Sequence, residues 1–326
     1  MAFRVFVPQF GSFEVGGDET IVEAATRQDI AFPFSCHSGT CGTCKSALVS
    51  GHVKMLDYSK FTLTDDERAA GRILACCAIP ESDCEVALLA EASPIPAQRI
   101  RCKLASVEQG THDIKILKLM PPGGTPMRFL AGQFADLTFA GLPARSYSMA
   151  SRPGQPLLEF HVRLTPGGQV SPFVHTALAA GQIVELNGPL GTSYLRDDHT
   201  GPVIALAGGS GLGPIKSIID TILARKSTAP IHFYFGVRDE NDLYYAEHFR
   251  GLAERFQNLT FTPVLSQPAG ATDRRTGFLA DIIKADFESF AGFKAYLAGP
   301  PVMVETCFAV LENRGLGKSD FHADAF

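Results

Sequence analysis

Residues 36–44 read CHSGTCGTC, which sets Cys36, Cys41 and Cys44 in the pattern C-x4-C-x2-C. That spacing belongs to [2Fe–2S] sites completed by a distant fourth cysteine. Ser38, Gly39 and Gly42 let the intervening loop wrap closely. Small residues leave room for backbone N–H groups to point at the sulfides and offset the negative charge of a cluster.

Other sulfur chemistries fit less of the pattern. Cys41-Gly42-Thr43-Cys44 alone reads as a redox dithiol, but that motif sits on a βαβ framework and leaves Cys36 unexplained. Structural zinc takes two separated C-x2-C knuckles, and this segment has one. A Rieske site needs two histidine ligands on one iron; His37 only neighbours Cys36, and no matching cysteine–histidine pair follows. Candidates for the fourth ligand lie in ILACCAIPESDC, which carries Cys76, Cys77 and Cys84. Adjacent residues of an extended strand face opposite sides, so that geometry admits Cys76 or Cys77 but not both. Cys84 opens the strand-like CEVALLA and reads as a core residue.

Around this loop the first segment, residues 1–92, reads as a small α+β unit. FRVFV alternates as a strand, and GDETIVEAATRQD places Ile21, Val22 and Ala25 on one side of a helix. SALVSGHVKM reads as a strand pair turning at Gly51. TDDERAA reads as a short helix with Thr64 as N-cap and acids in its first turn. The proline-bearing EASPIPAQ is a linker. Residues 98–198 are strands separated by PPGG, RPGQP and TPGG, the pattern of an antiparallel barrel. Residues 199–326 alternate strand and helix, which predicts a parallel α/β domain. A chain of 326 residues accommodates this multidomain plan.

Charge and hydropathy exclude other classes. The net charge is −5, with no Lys/Arg cluster, so nucleic-acid binding is not expected. Residues 1–95 hold 7 Lys+Arg against 13 Asp+Glu, which fits either a solvated face or a docking surface for a basic partner. No apolar run of about 18 residues predicts a membrane span, and MAFRVFVPQF is a poor signal peptide. A cytoplasmic location, where thiols stay reduced, is the expectation.

Two further sets of residues suit nucleotide cofactors. Arg145-Ser146-Tyr147-Ser148 ends an apolar strand region: an arginine pairs with phosphate and a tyrosine stacks on a ring. Gly168 and Ser171 suit a second phosphate contact, or an ordinary turn. Gly208-Gly209-Ser210-Gly211-Leu212-Gly213-Pro214 follows a predicted strand and opens a predicted helix, the context of a dinucleotide loop. Pro214 suits a helix start. Two more predicted strands end in GVRDENDLYY, starting at Gly236, and LAGPPVM, containing Gly299 and Pro300. Ligands sit at the carboxyl ends of strands in open α/β sheets. Asp239 and Glu240 would repel a 2′-phosphate and favour NADH, while Arg238 leaves NADPH open. His161 and His175 read as structural, and no metal-binding histidine set is visible.

Residues 1–92 resemble a plant-type ferredoxin of the β-grasp fold. In that family the fourth ligand follows a short helix in a pattern like L-A-C-Q; Leu74-Ala75-Cys76 matches, and Cys77 stands where glutamine is usual. The resemblance therefore implies Cys76, with a packing role for Cys77. Arg145, Tyr147, Ser148, Gly168, Ser171, Gly209, Gly211, Pro214 and Gly299-Pro300-Pro301 resemble the flavin and pyridine-nucleotide motifs of the ferredoxin–NADP reductase superfamily. The ending Asp324-Ala325-Phe326 resembles its terminal acid-x-aromatic, whose ring covers the flavin. Ala298 departs from the cysteine often found before Gly-Pro-Pro. In order, a ferredoxin, a FAD-binding barrel and a nucleotide domain, the whole chain resembles the reductase component of bacterial aromatic-ring-hydroxylating oxygenases, nearest the naphthalene dioxygenase type.

The resemblance implies FAD, a [2Fe–2S] cluster and NADH as cofactors. NADH would displace Phe326, and its hydride would reach the flavin near Ser148. Single electrons would then leave through the cluster to an oxygenase component or a Rieske-type ferredoxin. Reductases of diiron monooxygenases or of deoxysugar-forming dehydrases share the architecture. The flavin and nucleotide loops argue against a non-catalytic metal-binding module.

Overall fold

The computed structural model describes residues 2–30, 32–34, 39, 42–60, 62–89 and 95–326. Residues 1–94 form one compact unit, and residues 95–326, apart from Leu190–Thr192, form the other.

The first unit is built on a five-stranded mixed sheet. Phe3–Val7 pairs antiparallel with Gly11–Val15 and parallel with Cys84–Leu88, so the first and last strands lie side by side. Val5, Val7, Phe13 and Val15 alternate inward as the strand period requires. They bury against Ile21, Val22, Ala24 and Ala25 of the helix Ile21–Arg27. Thr20 and Glu23 close a capping box there, and Thr64 and Glu67 close another on Asp65–Ala69, so both expected helices start where their caps place them.

SALVSGHVKM differs from expectation. Lys45–Ser50 and Val53–Met55 are both strands, but they do not pair with each other. The first joins Arg72–Leu74 and Cys84–Leu88; the second joins Ala78–Pro80. Gly51 sits between them at φ +93°, where an added Cβ would meet the Asp83 carbonyl oxygen at 2.3 Å. The chain turns there because Gly51 packs on another backbone segment.

The second unit carries two sheets. The antiparallel one runs 145–148, 134–139, 183–190, 98–111, 114–120, 158–163. A bridge between Met149 and Phe160 brings its two edges together, giving a nearly closed barrel filled by Leu117, Leu137, Phe139 and Phe160. The other sheet is parallel, ordered 275–276, 259–265, 231–237, 203–208, 294–299, 321–325. Its central strands Val203–Gly208 and Lys294–Gly299 are buried throughout, as parallel strands covered on both faces must be. From Val203–Gly208 the chain winds first to one side, through 231–237 and 259–265, then returns to 294–299 on the other. That reversal opens a crevice at the carboxyl ends of the central strands, where all three predicted nucleotide loops emerge. No helix among the described residues is long and apolar enough to cross a membrane.

Candidate functional site

In the first unit Cys44 and Cys76 come together. Both are buried, and their sulfurs lie 3.2 Å apart. Two thiolates on one tetrahedral metal at about 2.3 Å sit about 3.7 Å apart, so this all-sulfur pair suits a shared iron. Cys36 and Cys41 lie outside the described residues. Gly39 and Gly42 take φ values of +70° and +76°, a conformation glycine adopts without penalty.

The strand argument about Cys76 and Cys77 needs correction. Ala75–Cys77 is a single 3₁₀ turn, and the two sulfurs approach to 3.7 Å instead of facing opposite ways. Cys77 is buried, its thiol lying 3.6 Å from the Asp57 carbonyl oxygen. A Cβ on Gly39 would come within 2.8 Å of that sulfur, so Cys77 packs directly against Gly39. Cys84 is buried, as expected of a core residue.

In the second unit, Arg145–Ser148 is an edge strand registered against Phe134–Phe139. Arg145 is exposed; no carboxylate among the described residues pairs with it, and its guanidinium reaches only the Ala144 carbonyl. Such a cation suits a phosphate. Burial pushes the Tyr147 hydroxyl up to about 12, so the phenol is neutral, and its ring packs edge-on to Phe139. Ser148 Oγ donates to Asp324 Oδ2 at 3.0 Å, across 176 residues of sequence. Ser171 is buried, and its hydroxyl accepts from Thr165 N at 2.9 Å, closing the turn that Gly168 N completes on Thr165 O.

Three glycines explain the nucleotide crevice. A Cβ at Gly211 would strike the Ala298 carbonyl oxygen at 2.1 Å, one at Gly208 would meet Met303 Sδ at 2.6 Å, and one at Gly299 would meet the Gly208 backbone at 2.9–3.0 Å. The loops after two neighbouring strands therefore touch backbone to backbone. Gly209 is required for a different reason, its φ of +55°. Pro214 is buried within Leu212–Ala224. At Gly236, Leu279 Cγ fills the space a side chain would take, at 2.9 Å, so a helix packs closely there. Phe321–Ala325 adds to the sheet edge at Lys294–Gly299, and Phe326 N donates to Gly299 O at 3.1 Å. Phe326 is 51% exposed beside the crevice mouth.

Charges at the next loop are already paired. Arg238 makes two bonds to Asp242, at 2.9 and 3.1 Å, and lies 3.6 Å from Asp113. Arg274 binds Glu240 at 2.6 Å. Asp239 is half-buried and accepts from Ala269 N, which holds its carboxyl below the usual range.

Sequence reasoning missed the residues that join barrel and crevice. Glu159, His161 and Arg163 alternate on the outer face of the strand Leu158–Arg163 and meet Tyr244, Tyr245 and the glycine loop. Period-2 alternation was the available signal, with polar residues between Leu158, Phe160 and Val162.

Three family profiles cover this chain. The 2Fe-2S iron-sulfur cluster binding domain matches residues 8–81, the oxidoreductase FAD-binding domain 101–194, and the oxidoreductase NAD-binding domain 205–308. The chain is 36% identical over 310 residues to the ferredoxin–NAD(P)+ reductase component of naphthalene 1,2-dioxygenase/salicylate 5-hydroxylase systems from Ralstonia, covering 94% of this chain and 93% of that one. It is 37% identical over 336 residues to the reductase component of phenol 2-monooxygenase from Pseudomonas, covering 100% and 95%. Among solved structures it resembles an Amycolatopsis cytochrome P450 reductase at 35% identity, covering 99% of this chain and 98% of that one, with a TM-score of 0.77. Shared domains, length and identity place this chain in the family of iron–sulfur flavoprotein reductases that serve oxygenase systems, with ferredoxin, FAD-binding and NAD-binding domains in one polypeptide.

Proposed function

We propose that this chain is the NADH-dependent reductase of an aromatic-ring-hydroxylating oxygenase system. Cys36, Cys41, Cys44 and Cys76 hold the cluster. Arg145 binds the flavin pyrophosphate with Gly168 and Ser171, Tyr147 packs on the flavin ring, and Ser148 faces its reacting edge. Gly209, Gly211, Pro214, Gly299 and Pro300 shape the nucleotide crevice, with Phe326 at its mouth. FAD held by these residues would supply the exchange between two-electron chemistry at the nicotinamide and one-electron chemistry at the cluster.

The observation that carries this reading is the bond from Ser148 to Asp324. It joins the end of the flavin strand to the C-terminal strand, whose next residues reach Gly299. One bonded chain thus links the flavin motif with the nucleotide loop, the arrangement that holding two rings in register demands. Phe326, anchored by its backbone with an exposed ring, keeps water off the flavin face until nicotinamide takes its place.

NADH is favoured because Arg238 is engaged by Asp242 and Asp113, and Arg274 by Glu240, which leaves Asp239 to meet an adenosine ribose. A 2′-phosphate would meet that carboxylate. Relatives named for naphthalene dioxygenase systems support an oxygenase or Rieske-type ferredoxin as electron acceptor. The phenol 2-monooxygenase relative supports a second reading, service to a monooxygenase. A cytoplasmic location is consistent with the absence of disulfides among the described cysteines.

Anaerobic titration of the purified holoprotein with NADH tests the proposal. Iron, acid-labile sulfide and FAD assays should all be positive, with flavin bleaching preceding cluster reduction. Protein lacking both flavin and iron would sink it.

A further inference from the structure

The outer face of the strand Leu158–Arg163 carries a buried polar chain that the proposed function does not use. Glu159 Oε1 faces His161 Nε2 at 3.0 Å, Tyr245 Oη at 2.9 Å and Lys216 Nζ at 3.5 Å. On the other side of the imidazole, Tyr244 Oη lies 2.9 Å from His161 Nδ1 and 3.5 Å from the carbonyl oxygen of Gly209. His161 and Tyr244 are both buried, and a Cβ at Gly213 would lie 3.6 Å from His161 Nδ1. The glycine loop at 209 and the first turn of the helix it opens, at 213, therefore both lie against this one histidine–tyrosine pair.

The chemistry orders the chain. A carboxylate only accepts, so Nε2 carries the imidazole proton and Nδ1 is left as an acceptor. Tyr244 then donates its single proton to Nδ1, so its 3.5 Å approach to the Gly209 carbonyl oxygen is a packing contact and not a hydrogen bond. Burial lowers the pKa of His161 against the opposing pull of Glu159, which keeps the ring neutral. Burial alone would raise the Glu159 carboxyl, but the His161 bond, the Lys216 charge and the Tyr245 bond outweigh it and bring it to about 2. Both states match that direction of donation.

The backbone is bent to make this possible. Consecutive residues of an extended chain face opposite sides, yet Tyr244 and Tyr245 both reach the same barrel strand. Tyr245 does so from a left-handed conformation, φ +58°. For a residue with a Cβ this conformation is strained, so the surrounding contacts must hold it there. The Tyr245 ring stacks on His161 at 5.6 Å and 18°.

From this geometry we infer that Glu159, His161 and Tyr244 form a positioning relay, through which the flavin barrel sets the nucleotide loop at Gly209. The inference rests on the reading that this loop holds the pyridine nucleotide. His161 and Tyr244 touch no cofactor in this role; they act on NADH affinity through the loop.

Stopped-flow flavin reduction on FAD-loaded protein separates NADH affinity from the limiting rate. Tyr244→Phe keeps the ring and removes the hydroxyl, and His161→Gln keeps a partner for Glu159 while releasing Tyr244. Each is expected to raise the apparent Kd for NADH roughly tenfold, the scale of one buried hydrogen bond, with the limiting rate falling less than threefold. Because they interrupt one chain, the double variant should weaken NADH binding no more than about twofold beyond either single one. An unchanged Kd in FAD-replete Tyr244→Phe protein overturns the relay, as do multiplicative effects in the double variant. Should either variant lose FAD, the other decides alone by the same shift in Kd. Wild-type protein whose flavin no pyridine nucleotide reduces would instead remove the reading of the loop, and the relay with it.

Discussion

Ser148 and Asp324 stand 176 residues apart in sequence and 3.0 Å apart in space, the hydroxyl donating to the carboxylate. Asp324 is buried at the point where the C-terminal strand pairs with Ala298. Ser148 is thus held by the nucleotide domain while belonging to the barrel. Ser148→Ala should slow flavin reduction by NADH on the order of 10²-fold, the scale of losing one positioned donor. Asp324→Asn, which keeps a partner for the hydroxyl, should lose much less. Rapid-mixing absorbance of the flavin reports both; equal rates in Ser148→Ala and wild type would remove Ser148 from the reacting edge.

Cofactor preference follows from how Arg238 is engaged. Wild-type protein should use NADH with the higher kcat/KM. Asp242→Ala releases Arg238 from its two-bond clamp and should lower the NADH:NADPH ratio by roughly 10-fold, about 1.4 kcal/mol. Steady-state rates with the two nucleotides decide, and a wild-type preference for NADPH would contradict the assignment.

The adjacent cysteines should behave differently despite sulfurs 3.7 Å apart. Cys76→Ser should abolish the cluster, seen as loss of iron and of its electron paramagnetic resonance signal after reduction. Cys77→Ala should retain iron, with a stability loss of about 1–2 kcal/mol for the small void beneath Gly39. The reverse outcome would make Cys77 the ligand.

Two glycines two residues apart, one in the loop and one in the helix it opens, offer a paired test. Gly211→Ala drives a methyl to 2.1 Å from the Ala298 carbonyl oxygen and should destabilise the second unit by about 3 kcal/mol or more. Gly213→Ala makes ordinary contacts at 3.6 Å inside a helix, and should change stability by less than about 1 kcal/mol. Denaturant midpoints compare them; similar losses in both would mean that close packing is not what Gly211 supplies.

Acid should weaken the second unit through His322. Burial, reinforced by Arg196 and Lys294, lowers its pKa to about 4, and its buried Nε2 has no partner among the described residues. The folded state holds the ring neutral, so nothing is lost above the unfolded pKa of about 6.5. As pH falls from there toward 4, the unfolded chain takes up the proton first, and stability drops by up to about 3 kcal/mol. His322→Phe retains the stacking on Tyr296, found at 5.3 Å, and should remove this part of the acid sensitivity. A wild-type urea midpoint as steep in pH as that of the variant would refute the assignment.

Local pattern foretold much of this molecule. Thr64, read as an N-cap, placed the helix Asp65–Ala69, because a cap acts within four residues of itself. Strand–helix alternation after residue 199 foretold the parallel sheet, and glycine-rich strand ends foretold the crevice. It could not foretell that Lys45–Ser50 and Val53–Met55 seek different partners, since pairing depends on strands far along the chain. Gly236, read from its place at a strand end as a nucleotide contact, also packs closely against Leu279. Glycine marks close approach without saying what approaches.

The sequence by itself determined the chemistry available: thiols at iron–sulfur spacing, an arginine and a tyrosine on one strand, and glycines at strand ends. Spacing along the chain carries that information because ligand loops and turns are local. Only the tertiary structure decided which side chains share a face where the backbone leaves its regular period. A 3₁₀ turn brings Cys76 and Cys77 together, and a left-handed residue brings Tyr244 and Tyr245 onto one barrel strand. Such bends cost conformational energy that local sequence does not repay, so they exist only where packing from distant segments holds them.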